Sequence, residues 1–472
     1  MGQALITAVL ILGVFFAALT ASFSVMGAVH LTAQRQSGWL HYCFYSILIA
    51  VAAYTVLSGR DLSKAAGLLG AAEVVGRHPI DAWAQRGVTI FLLLASGERI
   101  VSAWLRQKSN TQSPPLLLPT YVLFWLATVA APALFGAHLV VSHEYIYPLL
   151  IGWGALLLSA HESEQAVASA RNAILIFIVA GFLLIPINSK MVLEFSYGQG
   201  LMPGLPRLAG LAPHAVSLGM IVQAGLLCLW VLPLQSRWLN RLAWGIGLSA
   251  FFLAQSKTAW LSFSACAFIL AYVRHGASFQ RRFFNPKSPT FGILIVSILM
   301  TVATVISAEF VLTDMASKLA NFSDTSEGAQ LTSLTGRDKI WAVAFNEWTQ
   351  NPIFGYGPDL FSDAHRNSVG MSFATNAHNQ FMDTLARSGL VGASALVIYV
   401  LLLLALSFRY SKTTGGLSAA LFVAIALRGI SEVPLNLFSY GPEFISHILL
   451  LMVLAGAARG SHALSLKDAA KQ

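Results

Sequence analysis

The chain has 472 residues, 56% of them hydrophobic and 10% charged, with a formal net charge of +9. A soluble domain carries about 25% charged residues, so lipid must solvate most of this surface. The positive charge is scattered through short loops instead of forming a basic face, which argues against a nucleic-acid partner.

Apolar runs near the ~20 residues needed to cross a bilayer recur along the whole chain. They lie at 4–33, 41–58, 88–105, 117–141, 146–159, 172–188, 213–233, 239–254, 258–273, 290–307, 389–408, 416–428 and 441–458. The first has no basic leader and no clear cleavage site, so it reads as a retained helix rather than a signal peptide. The expected fold is all-α, a polytopic integral membrane bundle of about 12–13 transmembrane helices, with 1–472 forming a single membrane domain. Cys43, Cys228 and Cys266 sit within apolar runs and lack metal or disulfide spacing. No Walker-type phosphate loop is present, and Gly355-Tyr356-Gly357 is too short for a dinucleotide fingerprint, so no cofactor and no metal are expected.

The clearest basic clusters are Arg274, Arg281, Arg282 and Lys287, then Arg409 and Lys412, then Arg459, Lys467 and Lys471. The positive-inside rule places these in the cytoplasm. The 106–116 and 160–171 loops and Arg237 with Arg241 follow inside, and 190–212 and the long polar stretch 308–388 follow outside. The N-terminal part conflicts with the rule, because the loop from Gly59 to Gly87 would be external despite Arg60, Lys64, Arg77 and Arg86. Either one helix is miscounted or those cations have a task outside. Long loops without obvious structure tend to be functional, so 308–388 is the expected seat of the site. Within it, Ile340, Trp341, Ala344, Phe345 and Trp348 recur at helical spacing over 338–349, as in an amphipathic surface helix. A second helix is expected to start near Asn376 and run into the next span.

His378-Asn379 falls at the start of that second helix, where a neutral imidazole can take a proton from an alcohol. A capping or surface role is the plainer reading. Arg337 opens the preceding helix, where free amides and a guanidinium fork suit phosphate oxygens. A salt bridge to Asp338 is the alternative. Lys257, in Ser256-Lys257-Thr258, interrupts an apolar stretch and either snorkels or binds a ligand. Arg207 and His214 close an external loop. Arg428 and Glu432 are spaced to share a helix face, which suits an internal salt bridge. Arg86 beside Trp83 is equally open. Lys257, Arg207, Arg337, Arg428 and His378 nonetheless converge on the external side, in a topology derived without them. Such a cation-lined site suits a lipid-linked phosphate.

The ordered motifs resemble the O-antigen ligase and polysaccharide polymerase superfamily, which includes exopolysaccharide polymerases. They are Arg207 to His214, Ser256-Lys257-Thr258-Ala259, Thr335-Gly336-Arg337 with Ile340-Trp341, Asn351-Pro352 with Gly355-Tyr356-Gly357, and Ala377-His378-Asn379 followed by Gly389 to Gly392. The match spans roughly 200–440. The resemblance implies metal-independent, inverting glycosyl transfer from an undecaprenyl-pyrophosphate-linked oligosaccharide to a sugar hydroxyl, at the periplasmic face of a bacterial inner membrane. His378 is similar to the family histidine that activates the acceptor, and Arg337 to the arginine that binds the donor pyrophosphate. Lys257, Arg207, His214, Arg86, Arg428, Glu432 and Asn379 are the remaining substrate-binding candidates. Lys257 stands where many relatives place arginine, which keeps charge but loses bidentate phosphate binding.

Polymerisation of exopolysaccharide or O-antigen repeat units is the favoured expectation, with membrane lipids, a glycan or lipid-linked acceptor, and export or chain-length proteins as partners. The alternatives are a ligase acting on lipid A-core or protein, and a lipid-linked glycan flippase. Transporters bury charge near the bilayer midplane and show internal repeats, whereas here the charges cluster at one face.

Overall fold

The computed structural model describes residues 2–34, 38–62, 79–105, 116–195, 204–285, parts of 289–304, 337–370 and 374–469. Lys64, Arg77, the 106–115 loop and residues 305–336, including Thr335 and Gly336, lie outside them. The described chain is an all-α polytopic bundle. Six helices are long and apolar enough to cross a membrane, and Ala215–Val231, Leu417–Gly429 and Phe444–Gly460 are shorter apolar helices.

The elements are α1 (Gly2–Ala33), α2 (Cys43–Leu57), α3 (Pro79–Leu105), α4 (Leu117–Trp125), α5 (Ala131–Phe135), α6 (Ile146–Leu156) and α7 (Ala160–Leu183). A π-helical turn over Leu126–Ala130 joins α4 to α5. A short helix α8 (Ser189–Val192) and a two-residue antiparallel ladder, β1 (Leu193–Glu194) with β2 (Arg207–Leu208), precede α9 (Ala215–Val231). Then come α10 (Arg237–Leu253), α11 (Lys257–Phe283), α12 (Arg337–Gln350), α13 (Asp363–Ser368), α14 (Gln380–Arg409), α15 (Leu417–Gly429) and α16 (Phe444–Ala469).

Helix α9 is the centre of the bundle, with nearly every residue from Ala215 to Leu229 buried. Helix α10 buries only the stripe Ala243, Gly247, Ala250 and Phe251, the narrow face of a peripheral helix. In lipid, close helix contact comes from small residues instead of hydrophobic drive. Accordingly, a Cβ on Gly219 would lie 3.0 Å from Ser256 Cβ and 3.2 Å from that of Ala259.

One end of the bundle is fastened by arginines on helix C-termini, where carbonyls lack intrahelical partners. Arg99 Nε donates to Leu157 O at 2.9 Å and Arg459 Nη2 to Leu156 O at 3.0 Å, closing α6. Arg274 Nη1 and Nη2 donate to Trp230 O and Val231 O at 3.1 and 3.2 Å, and Arg171 Nη1 to Pro233 O at 3.1 Å, closing α9. Two expectations are corrected here. The 160–171 segment is not a loop but the first half of α7, started by a capping box between Ser159 and Glu162. Its Glu162 carboxylate is neutralised by Arg99 at 2.9 Å, both groups buried, so hydropathy alone underestimates the helix. Likewise α3 begins at Pro79, nine residues before the apolar run that suggested it.

At the opposite end, Arg60 has a task. Its guanidinium makes five hydrogen bonds of 2.6–3.0 Å to the carbonyls of Met191, Gly210, Ala212 and Pro213. Thr55 Oγ1 adds one to Leu211 O at 2.7 Å. These fix the entry to α9.

Helix α14 is broken at Gly389, where φ is +61°. The break frees amides that the 352–357 strand of loop accepts and supplements. Leu390 and Val391 N–H donate to Pro352 O and Ile353 O at 2.9 and 3.1 Å, while Tyr356 and Gly357 N–H donate to Ala386 O and Arg387 O at 2.9 and 3.0 Å. Any Cβ at Gly389 would run into the Ile353 carbonyl, and one at Gly355 into the Arg387 backbone. The two glycine motifs noted in the sequence therefore meet as one backbone crossing.

Helix α12 differs from the expected surface helix in which face it buries. Ile340, Ala344 and Glu347 are buried, whereas Phe345 is 52% exposed and pairs with Trp348 at 5.1 Å. The buried face joins Tyr356, Leu360, Phe361, Ala374, Ala377 and Ala386 in a small second core over the end of the bundle.

Candidate functional site

The fold brings most of the sequence candidates to this Arg60-held end. Asn379 caps α14, its Oδ1 accepting from Met382 N–H at 3.0 Å, and its Nδ2 donates to Ile430 O at 3.3 Å. The start of α14 is thus tied to the end of α15. Gln380 Oε1 strengthens the tie by accepting Leu435 N–H at 2.8 Å.

That tie sets His378 against Glu432, with Nδ1 3.3 Å from Oε2. The expected pairing of Glu432 with Arg428 along one helix face is not the arrangement found. Helix α15 stops at Gly429, and Glu432 sits in the turn beyond, its N–H donating to Arg428 O at 2.8 Å. Its carboxylate turns to the imidazole. Burial would raise the Glu432 carboxyl, but the His378 hydrogen bond and the electrostatic influence of His378, Arg428 and His214 outweigh burial and hold it below its ordinary range. A carboxylate on Nδ1 favours the tautomer that leaves the Nε2 lone pair free, the requirement for a base.

His214 caps α9, with Nδ1 accepting Ser217 N–H at 3.2 Å and Nε2 lying 3.1 Å from Ser217 Oγ. The ring is open to solvent, yet protein packed around it lowers its pKa to about 4. Glu432 opposes that shift, and Arg428, Arg207 and His378 reinforce it. His214, His378, Arg428, Arg207 and Glu432 are therefore electrostatic neighbours. His214→Asn should separate its two roles, since asparagine also caps helices. If His214 touches substrate, turnover should drop about tenfold with the thermal midpoint unchanged; wild-type turnover would reduce it to a cap.

Arg428 is half-buried, and its Nε and Nη2 have no hydrogen-bond partner among the described residues. Such a cation is costly unless a ligand anion completes it. Arg207 is more committed. Its Nε donates to Ala254 O at 2.9 Å and its Nη1 lies 3.8 Å from Glu194 across the β-ladder. This bond, with Gln255 Nε2 on Leu205 O at 3.1 Å, places the α10–α11 turn beside Arg207. Lys257, exposed in the first turn of α11, follows directly.

Two candidates approach from the sides. Arg337 is the first residue of α12, half-buried, and makes no ion pair or hydrogen bond among the described residues. One turn on, Trp341 Nε1 donates to Ala377 O at 2.8 Å, which seats that end of α12 on the His378 turn. Arg86 lies exposed near the start of α3, its guanidinium 4.9 Å over the Trp83 ring. Tyr440, hydrogen-bonded to Gln85 O at 3.4 Å, links it to the segment entering α16.

Glu443 was not among the sequence candidates. It neighbours Arg428, Glu432 and Ser217, and burial raises its carboxyl above the ordinary range. An acidic residue in Gly441-Pro442-Glu443, at the mouth of an apolar helix, was the available signal. Among the described residues no three His, Cys, Asp or Glu side chains form a metal-binding group.

Residues 242–397 match the family model described as O-antigen ligase, the family that the sequence motifs resemble. The matched stretch runs from α10 through the broken helix α14 and includes Lys257, Arg337, His378 and Asn379. No curated protein matches the chain.

Proposed function

We propose, taking the O-antigen ligase match over residues 242–397 as the premise, that this protein is a membrane glycosyltransferase. On this reading it moves a glycan from an undecaprenyl-pyrophosphate carrier onto a sugar hydroxyl, at the periplasmic face of a bacterial inner membrane. The observation that carries the reading is the His378–Glu432 pair, 3.3 Å apart, beside the unpartnered guanidinium nitrogens of Arg428. His378 Nε2 takes the acceptor O–H proton, with Glu432 stabilising the imidazolium that results. The acceptor oxygen forms the new bond at the anomeric carbon as the sugar–phosphate bond breaks and its electron pair passes to the pyrophosphate. Direct displacement inverts that carbon. Arg337, Arg428 and Lys257 meet the charge growing on the leaving group, with Arg207 and Arg86 adding to the local potential, so the transfer runs without a metal.

The orientation follows from Arg274, Arg281, Arg282 and Arg409 at the end opposite the site, in cytoplasmic positions by the positive-inside rule. The described residues 337–370 and 374–388 then lie on the outer side of a single membrane domain. An apolar groove lined by Ile49, Ala52, Val56, Leu183, Leu184 and Leu211 climbs between α2 and α7 to the Arg60-held loop, a surface suited to a lipid carrier. Chain-length and export proteins are its proposed neighbours.

Polymerisation of repeat units is preferred over ligation of finished polymer. The sequence from Leu334 to Trp341 resembles exopolysaccharide polymerases slightly more than lipopolysaccharide ligases, which is what supports this preference. Deleting the gene should leave single repeat units on the carrier. Carrier-linked glycan resolved on gels checks this, and full-length polymer stranded on the carrier would replace the polymerase with a ligase.

A further inference from the structure

The turn that presents His378 is restrained by residues that the transfer itself does not use. His378 has φ +46°, a left-handed conformation that non-glycine residues adopt rarely and keep when their surroundings over-determine it. The movement that would relieve it is a flip of the peptide between Ala377 and His378. That peptide is held at both ends. Its carbonyl, Ala377 O, accepts Trp341 Nε1–H at 2.8 Å, and its N–H, on His378, donates to Asn376 Oδ1 at 2.8 Å.

The preceding N–H, on Ala377, donates to Asp383 Oδ1 at 3.0 Å. Asp383 is buried, and its other oxygen accepts Arg387 Nε at 3.0 Å. Arg387 is itself held between the rings of Phe361 and Phe438, 4.8 and 5.1 Å from their centroids. Helix capping does not explain these bonds, because Asn379 already caps α14. Trp341 also lies one turn beyond Arg337, so the helix that offers Arg337 to a ligand holds the carbonyl next to His378.

We propose that Trp341, Asn376 and Asp383 are positioning residues that lock the 376–378 backbone and thereby aim the His378 imidazole between Glu432 and the acceptor. In this role the three act on the backbone around His378 and not on substrate. This rests on the transfer reading, and the test separates the two. The purified full-length chain is assayed with a polyprenyl-pyrophosphate-linked oligosaccharide, turnover being read as polyprenyl pyrophosphate released. Trp341→Phe keeps a ring and deletes the donor; Asn376→Ala deletes the acceptor. Each should lower kcat about tenfold, and the pair on the order of 100-fold, with donor KM within about twofold. Asn376→Asp, which keeps the acceptor oxygen, should restore most of the rate.

Folded Trp341→Phe and Asn376→Ala proteins at wild-type kcat, or a drop confined to the thermal midpoint, would overturn the clamp while leaving an inactive His378→Ala in place. A fully active His378→Ala would instead remove His378 as the base and the clamp with it, and a wild-type chain that releases no polyprenyl pyrophosphate would overturn the transfer reading.

Discussion

His378→Ala is expected to reduce glycan transfer by about 10²–10⁴-fold, the range over which a positioned general base contributes. Folding should be largely spared. The side chain is 29% exposed and faces the Glu432 carboxylate, so its removal opens no apolar cavity. Glu432 loses the partner that holds its carboxyl below the ordinary range, and that carboxyl should rise as a result. Stability should therefore fall slightly and activity almost completely. The measurement is release of polyprenyl pyrophosphate by purified, monodisperse protein. Turnover at the wild-type rate would remove His378 as the base.

Arg337→Lys comes next in expected size. A guanidinium meets two phosphate oxygens at once, whereas an ammonium meets them as a point charge. A charge-assisted hydrogen bond is worth about 1.5–3 kcal/mol, so losing the second one corresponds to roughly 10–100-fold in rate. Arg337 makes no ion pair among the described residues. Lys257→Arg is the paired control. The exposed lysine has room for a larger head, and activity should be kept. Equal rates for Arg337→Lys and wild type would return Arg337 to a solvated helix start.

Hydropathy made the described bundle legible because lipid leaves so few choices: an apolar run that crosses it must satisfy its backbone as a helix. It failed where charge is cancelled by a distant partner. Glu162 reads as a loop residue until Arg99, far away in sequence, is placed 2.9 Å from it. The site was half legible for a related reason. Topology alone drew Lys257, Arg207, Arg428 and His378 to one end, since it needs only the order of the spans. The pairing of Glu432 was hidden, because spacing suggested Arg428 on a continuous helix and the helix stops at Gly429. Glu443 and the peptide clamp around His378 depend on contacts between segments, which periodicity does not encode.

Arg60 bears on how such a chain is assembled. In the proposed orientation it is carried across the membrane early, against the charge rule that orients nascent helices. The carbonyls that receive it, from Met191 to Pro213, are at least 131 residues further along the chain. Until those residues arrive, the guanidinium has none of its five final bonds, and the first two helices sit in an orientation that their own sequence does not favour. The N-terminal hairpin is thus ratified retrospectively. Synthesis must run past Pro213 before the earliest helices become settled, so the first two helices are committed only after the segment that leads into α9.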